Sequence, residues 1–232
     1  MSTIAENIAN VRMRILRAAH AVERDSRDIT LMAVSKTRPA SAIRQAHAAG
    51  VTDIGENYLQ EALAKMAELT DLPLVWHFIG PIQSNKTRAI AEHFHWVHSV
   101  DRLKIAQRLS DQRPADAPPL NICLQVNISD EDSKSGVSLT DLPQLARAVA
   151  GLPRLRLRGL MAIPAPAATS EERRAPLRAL REAMADLALP LDTLSMGMSD
   201  DLDEAIAEGS TMVRIGTALF GARDYPSTRK DH

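Results

Sequence analysis

ITLMAVSKTRPASAIRQAHAAGVTDIGE, residues 29–56, runs from one short apolar stretch through a turn and a helical segment into a second apolar stretch. The strand-like runs are Ile29–Ser35 and Val51–Glu56, and the segment between them, Pro39 to Gly50, is patterned as a helix. Strand, helix, strand is the unit of a parallel sheet joined by right-handed crossovers. The same alternation continues outward. Strand-like runs recur at Leu74–Gly80, His95–Val100, Leu120–Ile128, Arg156–Ile163, Leu191–Gly197 and Thr211–Gly216. Helical segments lie between them, among them residues 57–69, 85–94, 139–152 and 170–188, and a further helix opens the chain. Eight such runs without a break in composition predict a single-domain (β/α)8 TIM barrel over residues 1–232, with an extra N-terminal helix. Barrels of this kind typically hold about 250 residues. An open doubly wound sheet is the alternative architecture.

The 232 residues carry a net charge of −1, with 45% hydrophobic, 25% charged and 3% aromatic residues. This balance suits a globular protein with a sizeable core. It offers neither the basic surface nor the stacking platform that nucleic acid requires. One cysteine, Cys123, excludes internal disulfides and suits a reducing compartment. The opening segment MSTIAENIANVRMRILRAAH breaks its apolar positions with charge, so it does not read as a signal peptide. No later stretch is long enough to span a membrane. The expected location is the cytoplasm.

In such a barrel, functional groups gather at the C-terminal ends of the strands. Lys36 stands there after the first strand. Glu56 and Asn57, His77, Asn127, Met161, Ser195–Ser199 and Arg214–Thr217 follow around the mouth. A lysine in a partly desolvated mouth loses some preference for its charged form, and the neutral amine attacks aldehydes. The alternatives for Lys36 are an ion pair with a carboxylate such as Glu56, or solvation at the rim. After the last two strands, SMGMSDD (195–201) and VRIGTALFG (213–221) place Ser199, Gly216 and Thr217 where a phosphate can be held. Taken singly, these are ordinary strand-to-helix turns, with Ser199 as an N-cap. Together with Lys36 they suit an aldehyde-bearing phosphate ester, a description that pyridoxal phosphate meets. A lysine-dependent aldolase acting on a phosphorylated sugar would use the same parts.

Five segments carry a more specific signal: AVSKTRP (33–39), GENYLQE (55–61), WHFIGPIQSNK (76–86), SMGMSDDLDEAI (195–206) and GSTMVRIGTALFGAR (209–223). In this order they resemble the signature segments of the pyridoxal phosphate homeostasis protein family, whose barrel is similar to the barrel domain of alanine racemases. The resemblance extends from the N-terminal helix to Arg223. It implies a barrel carrying pyridoxal phosphate as an internal aldimine on Lys36. It further implies Arg214 facing the pyridine nitrogen, Ser199, Gly216 and Thr217 on the phosphate, and Asn57 lining the site. Arg38 stands where the family often has a second lysine, and it cannot serve as a substitute imine-forming amine. An arginine against the ring nitrogen leaves that nitrogen unprotonated and the ring a poorer electron sink. Racemases compensate with a tyrosine base from a C-terminal domain, whereas Tyr58 and Tyr225 are the only tyrosines here. The resemblance thus implies a monomeric carrier that buffers the cofactor and passes it transiently to apo forms of pyridoxal phosphate enzymes, without efficient turnover. A weak racemase is the competing reading.

Other polar residues are weaker candidates. His93, His95 and His98 have no cysteine or carboxylate at ligand spacing, so no metal site is expected. His77 reads equally as a mouth residue or a core histidine. Lys134, in SDEDSKSG (129–136), is a candidate for transient aldehyde capture at the surface.

Overall fold

The structure is a computed structural model that describes residues 2–129 and 135–222. In β1 (Thr30–Val34), Ala33 faces the surrounding helices while Met32 and Val34 face the other way, the period of two expected of a strand. β1 pairs in parallel with β2 (Asp53–Glu56) on one side and with β8 (Met212–Ile215) on the other. β3 (Val75–Phe78), β4 (Trp96–Val100), β5 (Leu120–Gln125), β6 (Leu155–Met161) and β7 (Thr193–Ser195) complete a closed barrel in sequence order. The (β/α)8 barrel is therefore the fold, and the β1–β8 pairing rules out the open sheet.

Helices α2 (Ala40–Ala48), α3 (Leu59–Glu68), α4 (Thr87–His93) and α5 (Leu103–Gln112) follow the first four strands. α6 (Leu142–Ala150), α7 (Ser170–Asp186), α8 (Leu202–Ala207) and α9 (Thr217–Phe220) follow the rest. The expected N-terminal helix is α1 (Ile4–His20), packed against α2, α8 and α9. Its start is set by a capping box in which Thr3 and Glu6 satisfy each other's backbone N–H groups. No described helix is long and apolar enough to cross a membrane.

The main core lies between barrel and helices, where outward strand residues such as Ile54 and Val213 meet helix stripes such as Ile8, Val11 and Ile15. The alternate strand positions turn into the barrel. There, among the described residues, Met32, Ile79 and Met212 form a small buried apolar cluster, beside the buried polar groups of His77, His98, Ser195 and Arg214.

Several element ends fall short of the sequence expectation, and two of them have a clear steric cause. β7 keeps three residues of the run Leu191–Gly197, because Gly197 takes a left-handed φ of +101° that ends the strand. A Cβ there would lie 2.6 Å from Ala205 Cβ, so only glycine lets the chain pass α8. The helix expected from residue 57 begins at Leu59, leaving Asn57 and Tyr58 outside it. The chain at Asn57 runs against the Gly80 backbone, where a Cβ would overlap the Asn57 carbonyl.

Candidate functional site

At the C-terminal ends of the strands opens a cavity of about 590 Å³. Lys36, Asn57, Ser199, Arg214, Gly216 and Thr217, the six residues picked out in the sequence, all line it. Val34 and Ile79 add apolar surface, Ile163 and Met198 are exposed members of the lining, and Arg38, Asp200 and Ala218 complete it.

Lys36 lies two residues beyond Val34 on the inward face of β1, in a turn held from behind. Ser35 Oγ donates to Glu56 Oε1 at 2.5 Å. Lys65 Nζ donates to Ser35 O (2.7 Å), Glu56 Oε1 (2.6 Å) and Glu61 Oε1 (2.7 Å). Thr37 takes a left-handed φ of +64°, a conformation that costs a non-glycine residue about 1–2 kcal/mol. Its N–H donates to Glu61 Oε1 at 2.5 Å, which ties the turn to α3. Glu56 is fully buried, and burial pushes its carboxyl up while Lys65 and Ser35 pull it back. The carboxylate suggested as a partner for Lys36 is thus engaged by Lys65. Sequence reasoning missed Lys65; its signal was a place on the apolar face of α3, three residues after Ala62.

Arg214 enters the cavity from β8 as a fixed fork. Nη1 donates to Ser195 O (2.6 Å) and Ser195 Oγ (2.9 Å), and Nη2 donates to Ala162 O (2.9 Å). A guanidinium has five N–H donors. The second N–H of Nη2 and that of Nε therefore have no acceptor among the described residues. Burial lowers the Arg214 pKa to about 10, which leaves it charged at neutral pH. Asn57 Oδ1 is likewise buried without a hydrogen-bond partner among the described residues.

The opposite end is shaped by two loops and buttressed by α1. Ser199 is not an N-cap, because Asp201 occupies that position and its carboxylate accepts from the Met198 N–H at 2.7 Å. Burial raises the Asp201 carboxyl, and the Met198 bond opposes that rise. Arg14 pairs with Asp203 and donates to Ser199 O at 2.6 Å, while Asn7 Nδ2 donates to Leu219 O at 2.9 Å. Arg38 Nη2 donates to Gly221 O at 2.6 Å. The hydroxyls of Ser199 and Thr217 stand at this end with the first turn of α9, whose leading N–H groups have no intrahelical acceptor.

The remaining candidates fall elsewhere. His77 and His98 are fully buried inside the barrel, His95 accepts from the Trp76 N–H, and His93 is exposed. Asn127 and Met161 do not line the cavity. Tyr58 precedes α3 rather than lying in it, and is 55% exposed. Cys123 is buried in β5, and burial raises its thiol to about 12. Lys134, Arg223 and Tyr225 lie outside the described residues.

Residues 3–224 match the alanine racemase N-terminal domain family, which defines the class of this barrel. Alanine racemase from Corynebacterium glutamicum shares the fold with a TM-score of 0.68 at 20% identity, over 97% of this chain and 62% of that one. The pyridoxal phosphate homeostasis protein of Pseudomonas aeruginosa is 71% identical, covering 97% of this chain and 98% of the relative. Its counterpart in Escherichia coli K12 is 58% identical, covering 97% and 99%. The structure of PipY from Synechococcus elongatus with pyridoxal phosphate bound aligns with a TM-score of 0.83 at 41% identity, over 94% of this chain and all of that one. The chain belongs to the pyridoxal phosphate homeostasis protein family.

Proposed function

We propose that this chain binds pyridoxal phosphate in the mouth cavity, buffers it, and passes it to apo forms of pyridoxal phosphate enzymes. The gathering of Lys36, Arg214, Ser199, Gly216 and Thr217 around one cavity of about 590 Å³ carries the reading. The fit is supported by two lining residues with unmatched polar atoms among the described residues: Asn57, whose buried Oδ1 lacks a partner, and Arg214, which has two N–H groups left. PipY, similar over nearly the whole chain, holds the same cofactor. Lys36 supplies the amine for covalent attachment, Arg214 donates to the ring nitrogen, and Ser199, Gly216 and Thr217 bind the phosphate. The whole chain, residues 1–232, acts as one cofactor-binding domain, and we place it in the cytoplasm as a monomer.

The bound cofactor supplies an electron sink, which a permanently protonated donor at the ring nitrogen weakens. Among the described residues lining the cavity, Asp200 is the one carboxylate, and there is no tyrosine or histidine to act as a second base. Both points favour a carrier over a racemase. Alanine or serine racemisation by loaded protein is expected to fall well below about 1 s⁻¹, the lower end of ordinary enzyme turnover. Turnover within that ordinary range would replace the carrier reading with an enzymatic one.

The phosphate end supplies the second test. Hydrogen bonds to a charged group contribute about 1.5–3 kcal/mol each, so two of them are worth at least about a hundredfold in affinity. Titration by absorbance should therefore show pyridoxal binding at least about a hundredfold more weakly than pyridoxal phosphate. Equal affinities would remove the role given to Ser199 and Thr217.

A further inference from the structure

Behind Arg214 a line of buried polar groups crosses the barrel. Arg214 Nη1 donates to Ser195 Oγ at 2.9 Å, and Ser195 Oγ lies 2.8 Å from His98 Nδ1. His98 Nε2 is 2.9 Å from His77 Nδ1, and His77 Nε2 is 2.8 Å from Asp53 Oδ1. Asp53 starts β2 and lines a second cavity, of about 550 Å³, beside α1.

The two ends decide the direction of every bond between them. A guanidinium only donates, and an ionised carboxylate only accepts. Ser195 therefore accepts from Arg214 and gives its hydroxyl hydrogen to His98 Nδ1. His98 carries its proton on Nε2 and gives it to His77 Nδ1. His77 also carries its proton on Nε2 and gives it to Asp53. Each imidazole must be neutral to donate and accept at once. Burial lowers the pKa of both, His98 well below its ordinary value, with Arg214 adding to the effect on His98 and Asp53 opposing it on His77. Trp96 stacks on both rings, at 5.5 Å from His77 and 5.7 Å from His98, and Arg158 lies 4.6 Å over Trp96.

We propose that Asp53, His77, His98 and Ser195 are positioning residues that hold the Arg214 fork in one orientation toward the mouth cavity, with Asp53 as the outer anchor. Only what Arg214 meets there rests on the cofactor reading. A buried polar line of this kind is tolerable because Ser195, His98 and His77, the groups between its two ends, are each satisfied on both sides. Removing one member frees the rest to rotate or change tautomer. The line uses inward positions on β2, β3, β4, β7 and β8, so it also couples the cofactor end of the barrel to its opposite face.

¹⁵N spectra of the cofactor-free protein are expected to show the protons of His77 and His98 on Nε2, with slowly rotating Nη1 hydrogens on Arg214. Ser195→Ala leaves Arg214 its two backbone carbonyls but cuts the line. It should move the His98 Nδ1 signal and speed rotation at Arg214 Nη1, and Ser195→Thr should restore both by keeping the hydroxyl. In protein loaded with pyridoxal phosphate, the alanine variant should shift the absorption maximum and the threonine variant should return it. Asp53→Asn, at the partly exposed end, should move the His77 signal and, through it, that of His98. A native proton on Nδ1 of either histidine, an unmoved Arg214 signal or absorption maximum in Ser195→Ala, or an unmoved His98 signal in Asp53→Asn overturns the proposal. Native protein that takes up no pyridoxal phosphate overturns the cofactor reading instead, while the cofactor-free spectra still decide the line.

Discussion

Lys36→Ala is expected to abolish the near-visible absorption band that the native protein should gain with pyridoxal phosphate. Among the described residues lining the cavity, Lys36 carries the one primary amine. Arg38 beside it offers only a guanidinium, which keeps its proton and does not replace an amine. Lys36→Arg serves as the control for charge. It keeps a cation at the end of β1 and should lose the band just as completely. The phosphate contacts proposed at the far end are untouched in both variants, so weak binding should persist without the band. Borohydride reduction followed by peptide mapping should place a pyridoxyl group on the Lys36 peptide of native protein and on neither variant. A coloured native protein whose Lys36 peptide stays unmodified would remove the central residue of the site.

Lys65→Met should be the most destabilising single change near the cavity, costing about 3–5 kcal/mol, because it leaves Glu56 buried without its cation. Lys65 is 5% exposed and Glu56 0%. The variant keeps a long apolar stem, so the loss reports the charge more than a void. The pH dependence has a definite sign. Burial raises Glu56 in the folded chain above the ordinary unfolded value of about 4.3, and Lys65 partly offsets that rise. Folding therefore favours protonated Glu56, and its contribution to stability is lost as pH rises from that value through the folded pKa. Without Lys65 the rise is larger. Urea unfolding should show the deficit of the variant shrinking as pH falls toward the carboxylate range and growing toward neutrality. A loss below about 1 kcal/mol at neutral pH, the scale of an exposed ion pair, would show that the cluster does not hold the Lys36 turn.

The element order was legible because it rests on local patterns. Apolar runs of strand length alternate with helical stretches, and every run assigned as a strand is one. The six candidate residues line one cavity because barrel topology sends the C-terminal ends of all strands to the same face. Strand ends were less legible. Gly197 and the approach of Gly80 to Asn57 depend on neighbours distant in sequence, and such contacts cut short a strand in one case and delay a helix in the other. Arg38 was noticed only as a departure from the family pattern, and its bond to Gly221 could not be read from spacing. His77 was read by itself, as a mouth or core residue, and His98 only as a rejected metal ligand, because nothing local shows that inward positions on adjacent strands meet.

The sequence by itself determined the succession of parallel strands and helices and placed Lys36 and Arg214 at strand C-terminal ends, while the β1–β8 pairing decided that the sheet closes. Periodicity and strand direction are properties of short segments, and they survive without knowledge of partners. Only the tertiary structure decided which groups satisfy one another. Lys65 takes Glu56, and His98 meets Ser195 across 97 positions of sequence, once the barrel closes. Hydrogen bonds are decided by tenths of an ångström between atoms on different strands, and no pattern along a single segment carries that information.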